Sequence, residues 1–130
     1  HPITDITLDL YADTILDAIE GIAIVLGHSM AGFPISAAAE KAPDRIDRLI
    51  YLCAYVPRDG VSLVDMRKEA PRQPILEAVE RTADGLGMNI LPHKARDLFY
   101  QDCSAADVFL HFMDYLLESI TGSLKCSKVE

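Results

Sequence analysis

Apolar side chains near the start of the chain recur at intervals of three and four residues, and acidic side chains occupy another face. The apolar positions of this segment are Leu8, Tyr11, Ile15 and Ile19. This spacing predicts an amphipathic helix over residues 8–19. Thr7 can accept a hydrogen bond from the first turn, and Gly21 can end the helix.

Two later runs are apolar without alternation, over residues 22–26 and 48–56. Such runs are typical of strands covered on both faces, as in a parallel sheet. An alanine-rich helix is predicted between them, over 33–42, and Pro43 stops it. Strand, helix and strand over this length form a βαβ unit, whose crossover should be right-handed.

The second half of the chain is helical in pattern, and no further strand is predicted there. We expect helices over 74–84, over 92–100 and from Ser104 to about residue 122, with residues 123–130 as a polar tail. The chain is therefore expected to form one domain over 1–130. Its first part, 1–60, holds the first helix and the βαβ unit, and 61–122 is a helical segment.

Composition and charge exclude several classes of protein. The 130 residues are half apolar, a quarter charged and carry a net charge of −8, which predicts one soluble globular domain rather than a disordered chain. No apolar run approaches the roughly 18 residues of a membrane span. The isoelectric point of about 4.8 argues against nucleic acid as a partner. The first forty residues carry six acidic residues and no lysine or arginine, which indicates a solvated helix face.

The three cysteines are Cys53, Cys103 and Cys126. Their odd number and irregular spacing match neither a disulfide framework nor a zinc ligand set. The serine chemistry described below likewise implies no metal or cofactor. We expect free thiols in a reducing compartment, with Cys53 buried in the second apolar run. No basic start followed by an apolar segment is present, so we expect no signal peptide and a cytoplasmic protein.

The candidate catalytic residues lie in 27–32, Gly-His-Ser-Met-Ala-Gly. This segment follows the first predicted strand and leads into the alanine-rich helix. This context predicts a nucleophile elbow, a tight turn that holds the Ser29 hydroxyl clear of the sheet with strained backbone dihedrals. The elbow would aim the Met30 N–H at a developing oxyanion. Gly27 and Ala31 must be small, because helix and strand approach closely there. The simpler alternative makes Ser29 only a helix cap.

With Pro43-Asp44-Arg45-Ile46 and the apolar run ending at Pro57, these residues resemble the α/β-hydrolase superfamily. Within it they are similar to small esterases related to plant methylesterases and hydroxynitrile lyases. The resemblance covers about 8–108 and implies an α/β fold: a parallel strand–elbow–helix–strand unit followed by a helical cap over an acyl pocket, 61–107. The family's glycine two positions after the nucleophile is Ala31 here, which is small enough to keep the elbow.

The pattern covers only the central part of that fold, so the fold is predicted to be incomplete. The family's upstream oxyanion loop and its downstream Asp and His are not recognisable. His111 follows Asp102 and Asp107 in the chain order of a triad, and His93 falls in the cap-like segment. The resemblance implies that His28 packs beneath the elbow.

The leading hypothesis is a serine carboxylesterase that hydrolyses small carboxylic esters through an acyl-enzyme on Ser29. A hydroxynitrile lyase using the same serine is one alternative. The other is a non-catalytic remnant that binds a small molecule or associates with other copies. Two parallel strands leave edges that invite pairing, so a homo-oligomer is expected.

Overall fold

The first unit of the chain, His1–Gln73, carries a small parallel sheet with helices packed on it. The structure, a computed structural model, describes residues 2–110. Four longer elements follow one another here: α1 Leu8–Ala18, β1 Ala23–His28, α2 Gly32–Lys41 and β2 Ile46–Leu52. Single 3₁₀ turns occupy Ile3–Asp5, Ser29–Ala31 and Pro43–Arg45, and α3 covers Leu63–Glu69.

The strands β1 and β2 pair in parallel, from Ala23 beside Ile46 to His28 beside Leu52. The predicted βαβ unit is thereby confirmed, and the fold is mixed α/β with a small parallel sheet. Helix α2 packs against both strands and against α1. The residues buried between the two helices are Ala12, Leu16 and Ala38.

Helix α1 matches its sequence pattern closely. The Thr7 hydroxyl accepts a hydrogen bond from the Leu10 N–H at 3.2 Å, so the predicted cap is confirmed. At the other end, the Arg45 guanidinium donates to the backbone carbonyls of Leu16 and Ile19. The Leu16 carbonyl, which also accepts from the Ile19 N–H, lies in the last turn of α1, and the Ile19 carbonyl lies in the residue that caps it. Arg45 therefore links the end of α1 to the start of β2.

The strands are not covered on both faces, contrary to the sequence prediction. One face carries four large apolar side chains that are between 42 % and 57 % exposed: Ile24, Leu26, Ile50 and Leu52. We call these four residues the open face. The alternate residues Val25, Leu49 and Tyr51 are half-buried, because side chains alternate along a strand and these point to the side that α2 covers.

Cys53 was also expected to be buried, and that prediction is wrong. It lies just beyond the end of β2, where its thiol is free and exposed. Its backbone has a φ of +45°, which is left-handed and uncommon for a residue with a side chain. The chain therefore turns away from the sheet direction at this residue instead of continuing the strand to residue 56.

The second unit, Pro74–Glu130, contains a hairpin that the sequence analysis missed. A 3₁₀ turn over Pro74–Glu77 leads to β3 Val79–Arg81, which pairs antiparallel with β4 Met88–Ile90. The predicted helix over 74–84 is therefore wrong.

The turn between β3 and β4 explains the error. Gly85 has a φ of +71°, and the Asp84 carboxylate accepts hydrogen bonds from the Leu86 N–H and the Thr82 hydroxyl. Asp-Gly is a strong hairpin signal, but a glycine at position 85 fits the end of a helix over 74–84 equally well.

The remaining helices of this unit follow prediction as far as they are described. Helix α4 spans Pro92–Phe99, and residues 105–110 are helical. The Ser104 hydroxyl accepts from the Asp107 N–H at 3.2 Å and so caps this helix at the predicted start. The continuation of that helix, His111, Cys126 and the predicted tail lie outside the described residues. Within 2–110, none of the helices is long and apolar enough to cross a bilayer.

Candidate active site

Ser29 lies on a sharp turn between β1 and α2. Its φ of +56° is left-handed, a conformation that strains a residue with a β-carbon. The predicted unusual backbone of Ser29 is thus confirmed. Its side chain is exposed, and its hydroxyl forms no hydrogen bond within the part of the chain that the structure describes. A capping serine has an extended backbone and a hydroxyl bonded to its helix, so the helix-cap alternative does not fit Ser29.

Glycine at position 27 permits the tight turn. A β-carbon added to Gly27 would lie 2.9 Å from the Ala31 carbonyl oxygen and 2.8 Å from the end of the Ile35 side chain. The close approach of helix and strand that the sequence predicted here is therefore confirmed.

A tighter approach occurs at Gly32, which the sequence analysis did not single out. A β-carbon on Gly32 would lie 1.8 Å from the Tyr55 carbonyl oxygen and 3.3 Å from the Tyr51 ring. Gly32 is the second glycine of the motif over 27–32, which could have indicated a close contact at this position. The sequence did not show which residue makes that contact, because Tyr55 is more than twenty residues further along the chain. Gly32 lets the first turn of α2 touch the segment that follows β2.

That segment is also bonded to the elbow directly. The Tyr55 N–H donates to the Ser29 carbonyl at 3.0 Å, and the Tyr55 ring lies 6.4 Å from that of Phe33, centroid to centroid. A backbone hydrogen bond to the strained residue itself fixes the orientation of its peptide group. The segment after β2 therefore helps hold Ser29 in its left-handed conformation.

A hydroxyl chain links β2 to α2 beneath the elbow. The Ser36 hydroxyl lies 2.7 Å from the Gly32 carbonyl, to which it donates, and 2.6 Å from the Tyr51 hydroxyl. Because Ser36 has one proton and donates it to the carbonyl, Tyr51 must be the donor in the second bond. The hydrogen bonds therefore run from the Tyr51 hydroxyl to the Ser36 hydroxyl, and from there to the Gly32 carbonyl in the first turn of α2, directly after the elbow.

Met30 follows Ser29 in the same 3₁₀ turn, and its side chain is half exposed. The first backbone N–H groups of a helical turn have no acceptor within it. An N–H in this position is suited to bind an oxyanion, which is the role predicted for Met30.

The histidines are not assembled around Ser29 in the described residues. His28, expected to pack beneath the elbow, is exposed, because it lies on the same face of β1 as Ile24 and Leu26 of the open face. His93 is exposed on α4 in the second unit, and His111 lies outside the described residues. Within residues 2–110, no three His, Cys, Asp or Glu side chains come together as a metal site.

Comparison with known proteins points to esterases. No family model matches the chain. It is 34 % identical over 68 residues to putative methylesterase 14, chloroplastic, of Arabidopsis thaliana, a match covering 48 % of this chain and 20 % of the relative. It is 26 % identical over 120 residues to esterase PIR7B of Oryza sativa subsp. japonica, covering 80 % and 45 %. A pyrethroid hydrolase of Sphingobium wenxiniae is 44 % identical over 48 residues, covering 37 % and 17 %.

The resemblance to α/β-hydrolase esterases is therefore confirmed over part of the chain. The matched region spans less than half the length of each of these relatives. Their names support ester hydrolysis as the general class of chemistry.

Proposed function

We propose that this chain provides the nucleophile of a serine carboxylesterase of α/β-hydrolase type, acting on small carboxylic esters. One observation carries the proposal: Ser29 has a left-handed backbone between a parallel strand and a helical turn, with its hydroxyl exposed. That is the geometry that a nucleophile elbow requires. The esterase names of the relatives support the same chemistry.

In the proposed reaction the Ser29 Oγ attacks the carbonyl carbon of the ester, and its proton passes to a base. The Met30 N–H donates to the oxyanion of the tetrahedral intermediate. The bond to the alkoxy oxygen then breaks, the alcohol leaves with a proton, and the acyl group stays on Oγ. Water hydrolyses this acyl-enzyme and restores the Ser29 hydroxyl.

The base sets the expected rate. No residue of this chain is assigned as the base; His111 follows Asp102 and Asp107 in triad order along the sequence, which is a matter of chain order alone. If no base acts on Ser29, positioning and oxyanion binding alone leave about 10³–10⁴-fold acceleration over water. Turnover by this chain is therefore expected to be slow, and His111→Ala measures what that histidine contributes.

The decisive experiment is labelling with a fluorophosphonate probe, followed by mass spectrometry of the labelled peptide. Ser29 should be modified in the folded chain and not after denaturation in urea. Ser29→Ala should abolish labelling and reduce hydrolysis of p-nitrophenyl acetate to background. Ser127→Ala, the same change in the predicted tail, should leave both unchanged. Labelling that survives Ser29→Ala would refute the proposal, and cleavage of an aromatic cyanohydrin without ester hydrolysis would favour the lyase.

A second candidate, self-association of a non-catalytic module, is favoured by the open face. Four exposed apolar side chains on adjacent strands form a surface of the kind that protein interfaces cover. Two copies could pack these faces together across a twofold axis, whereas a sheet continued edge to edge would leave the faces exposed. Sedimentation equilibrium should show dimers that Leu52→Lys disrupts and Val64→Lys, on helix α3, does not. A clean monomer at high micromolar concentration would contradict this candidate.

A further inference from the structure

The Met30 thioether adjoins the proposed nucleophile and has no part in the proposed reaction, which uses only the backbone N–H of that residue. Met30 directly follows Ser29 in the 3₁₀ turn of the elbow, and it is 50 % exposed. Methionine sulfur is polarizable, and peroxides oxidise it where solvent reaches it. A small oxidant therefore has access to a reactive sulfur in the residue bonded to Ser29.

The side chains around this thioether are apolar. Met30 borders a concavity of the first unit together with Leu8, Tyr11 and Phe33. A thioether is compatible with such neighbours, whereas a sulfoxide is polar and accepts hydrogen bonds through its oxygen. Burying that oxygen without a donor costs free energy. An oxidised Met30 side chain is therefore driven from these neighbours toward a hydrogen-bond donor.

The elbow itself offers donors to a sulfoxide. The first N–H groups of a helical turn have no acceptor within it, and the Met30 N–H is the donor proposed for the oxyanion. A sulfoxide oxygen on Met30 competes for these groups, and its partial negative charge opposes that of the oxyanion. Loss of one oxyanion donor slows a reaction by about 10²–10³-fold, so partial competition should slow acylation of Ser29 by about tenfold.

Two other methionines of the described residues provide a contrast. Met88 on β4 is 59 % exposed, but it belongs to the second unit. Met66 on α3 is half-buried. Peroxide should therefore oxidise Met30 and Met88 at similar rates and Met66 more slowly, because exposure controls access to the sulfur. Met30 differs from Met88 in its bond to Ser29, so the two can be compared directly.

We propose that Met30 is a redox modification site, at which a peroxide forms methionine sulfoxide and thereby slows acylation of Ser29. The Met30 sulfur attacks one oxygen of hydrogen peroxide, and the O–O bond breaks. The sulfur keeps that oxygen and is oxidised by two electrons, while the other oxygen leaves as water with both hydrogens. The inference rests on the proposed function, since its effect is measured at Ser29.

The experiment uses the whole chain, treated with hydrogen peroxide, then with catalase, and finally with dithiothreitol. Thiol reduction reverses cysteine sulfenic acids and disulfides and leaves methionine sulfoxide in place. Peptide mass spectrometry measures the oxidation of each methionine, and a fluorophosphonate probe measures the labelling rate of Ser29. That rate should fall by about tenfold, in proportion to the sulfoxide at Met30. Methionine sulfoxide reductases of both stereospecificities should restore it.

Three variants assign the effect, each compared with its own rate before treatment. Met30→Leu keeps the backbone N–H and removes the thioether, so peroxide should no longer change its labelling rate. Met88→Leu is the matched control and should stay as sensitive as the parent. Cys53→Ser tests the neighbouring thiol, because Cys53 directly follows Leu52, the partner of His28 in the sheet. This variant should also stay sensitive.

The outcomes separate this inference from the proposed function. A Ser29 that the probe does not label even before treatment would refute both. An unchanged labelling rate after complete oxidation of Met30 would overturn the inference and leave the esterase standing. Slowing that persists in Met30→Leu and disappears in Cys53→Ser would assign the effect to the thiol. Slowing accompanied by loss of the far-ultraviolet circular dichroism would show unfolding instead, and either result would overturn the inference.

Discussion

Replacing Gly32 by alanine should destabilise the fold, although the backbone itself would accept alanine. Gly32 has a helical φ of −56°, and alanine in a helix is favoured over glycine by about 1 kcal/mol. The added β-carbon, however, would lie 1.8 Å from the Tyr55 carbonyl oxygen. The β-carbon and the Tyr55 carbonyl oxygen must therefore separate by more than about 1 Å to reach an ordinary van der Waals distance, and both are attached directly to the backbone.

The movement has a definite cost. Overpacking of this kind costs about 1–3 kcal/mol, and the Tyr55 N–H to Ser29 carbonyl bond, which lies in the displaced segment, contributes about 1 kcal/mol. After the helix preference is subtracted, Gly32→Ala should lower the free energy of unfolding by about 1–3 kcal/mol. Since that hydrogen bond holds the elbow, fluorophosphonate labelling of Ser29 should slow as well.

Urea unfolding followed by circular dichroism measures the first effect, and the labelling rate in native buffer measures the second. Gly21→Ala is the control: Gly21 has a φ of +74° and no atom within 4 Å of an added β-carbon. It should cost about 1–2 kcal/mol through backbone strain alone, without changing the labelling rate. A Gly32→Ala protein that is more stable than the parent and labels at the same rate would refute the reasoning.

Two further predictions concern polar contacts. Tyr51→Phe removes the donor to Ser36 and should cost about 1 kcal/mol in urea unfolding, with slower labelling of Ser29; equal stability would show that the hydroxyl chain contributes nothing. The pKa of Asp65 is held below its usual range, first by hydrogen bonding from the Ser62 hydroxyl and then by Lys68. The stability from this contact should be complete above the ordinary aspartate pKa and lost as pH falls through the lowered one. A carboxyl ¹³C titration should show the shift, and Ser62→Ala should reduce it; an unshifted titration would contradict the contact.

The parts of the fold that depend on neighbouring residues could be predicted from the sequence. The cap of α1 by Thr7 is set within one helical turn, and so is the cap by Ser104. The elbow is also local, because a short apolar strand, a glycine-flanked serine and an alanine-rich helix are consecutive. These features follow from backbone preferences and side-chain size, both of which are visible in the sequence.

The parts that depend on distant contacts could not be predicted in the same way. The close approach of Gly32 to Tyr55 brings together a residue that precedes β2 in the sequence and a residue that follows it. The hairpin of the second unit was missed because Asp84-Gly85 fits both a helix end and a β-turn, and β3 and β4 are only three residues each. The exposure of Cys53 depends on a left-handed turn that no local pattern indicated.

The open face makes a last quantitative prediction about self-association. Burying the four half-exposed side chains of one copy is worth about 1 kcal/mol each, so a symmetric pair gains about 8 kcal/mol. Association costs at least about 4 kcal/mol, which leaves a dissociation constant near 1 mM from apolar burial alone. A continued sheet is a different arrangement: it would leave the two open faces side by side and exposed, and it would gain only the hydrogen bonds between strand edges, at about 1 kcal/mol each. Leu52→Lys should therefore raise the dissociation constant by at least about tenfold if the open faces pack together. A dissociation constant that Leu52→Lys leaves unchanged would contradict packing of the open faces and favour paired strand edges.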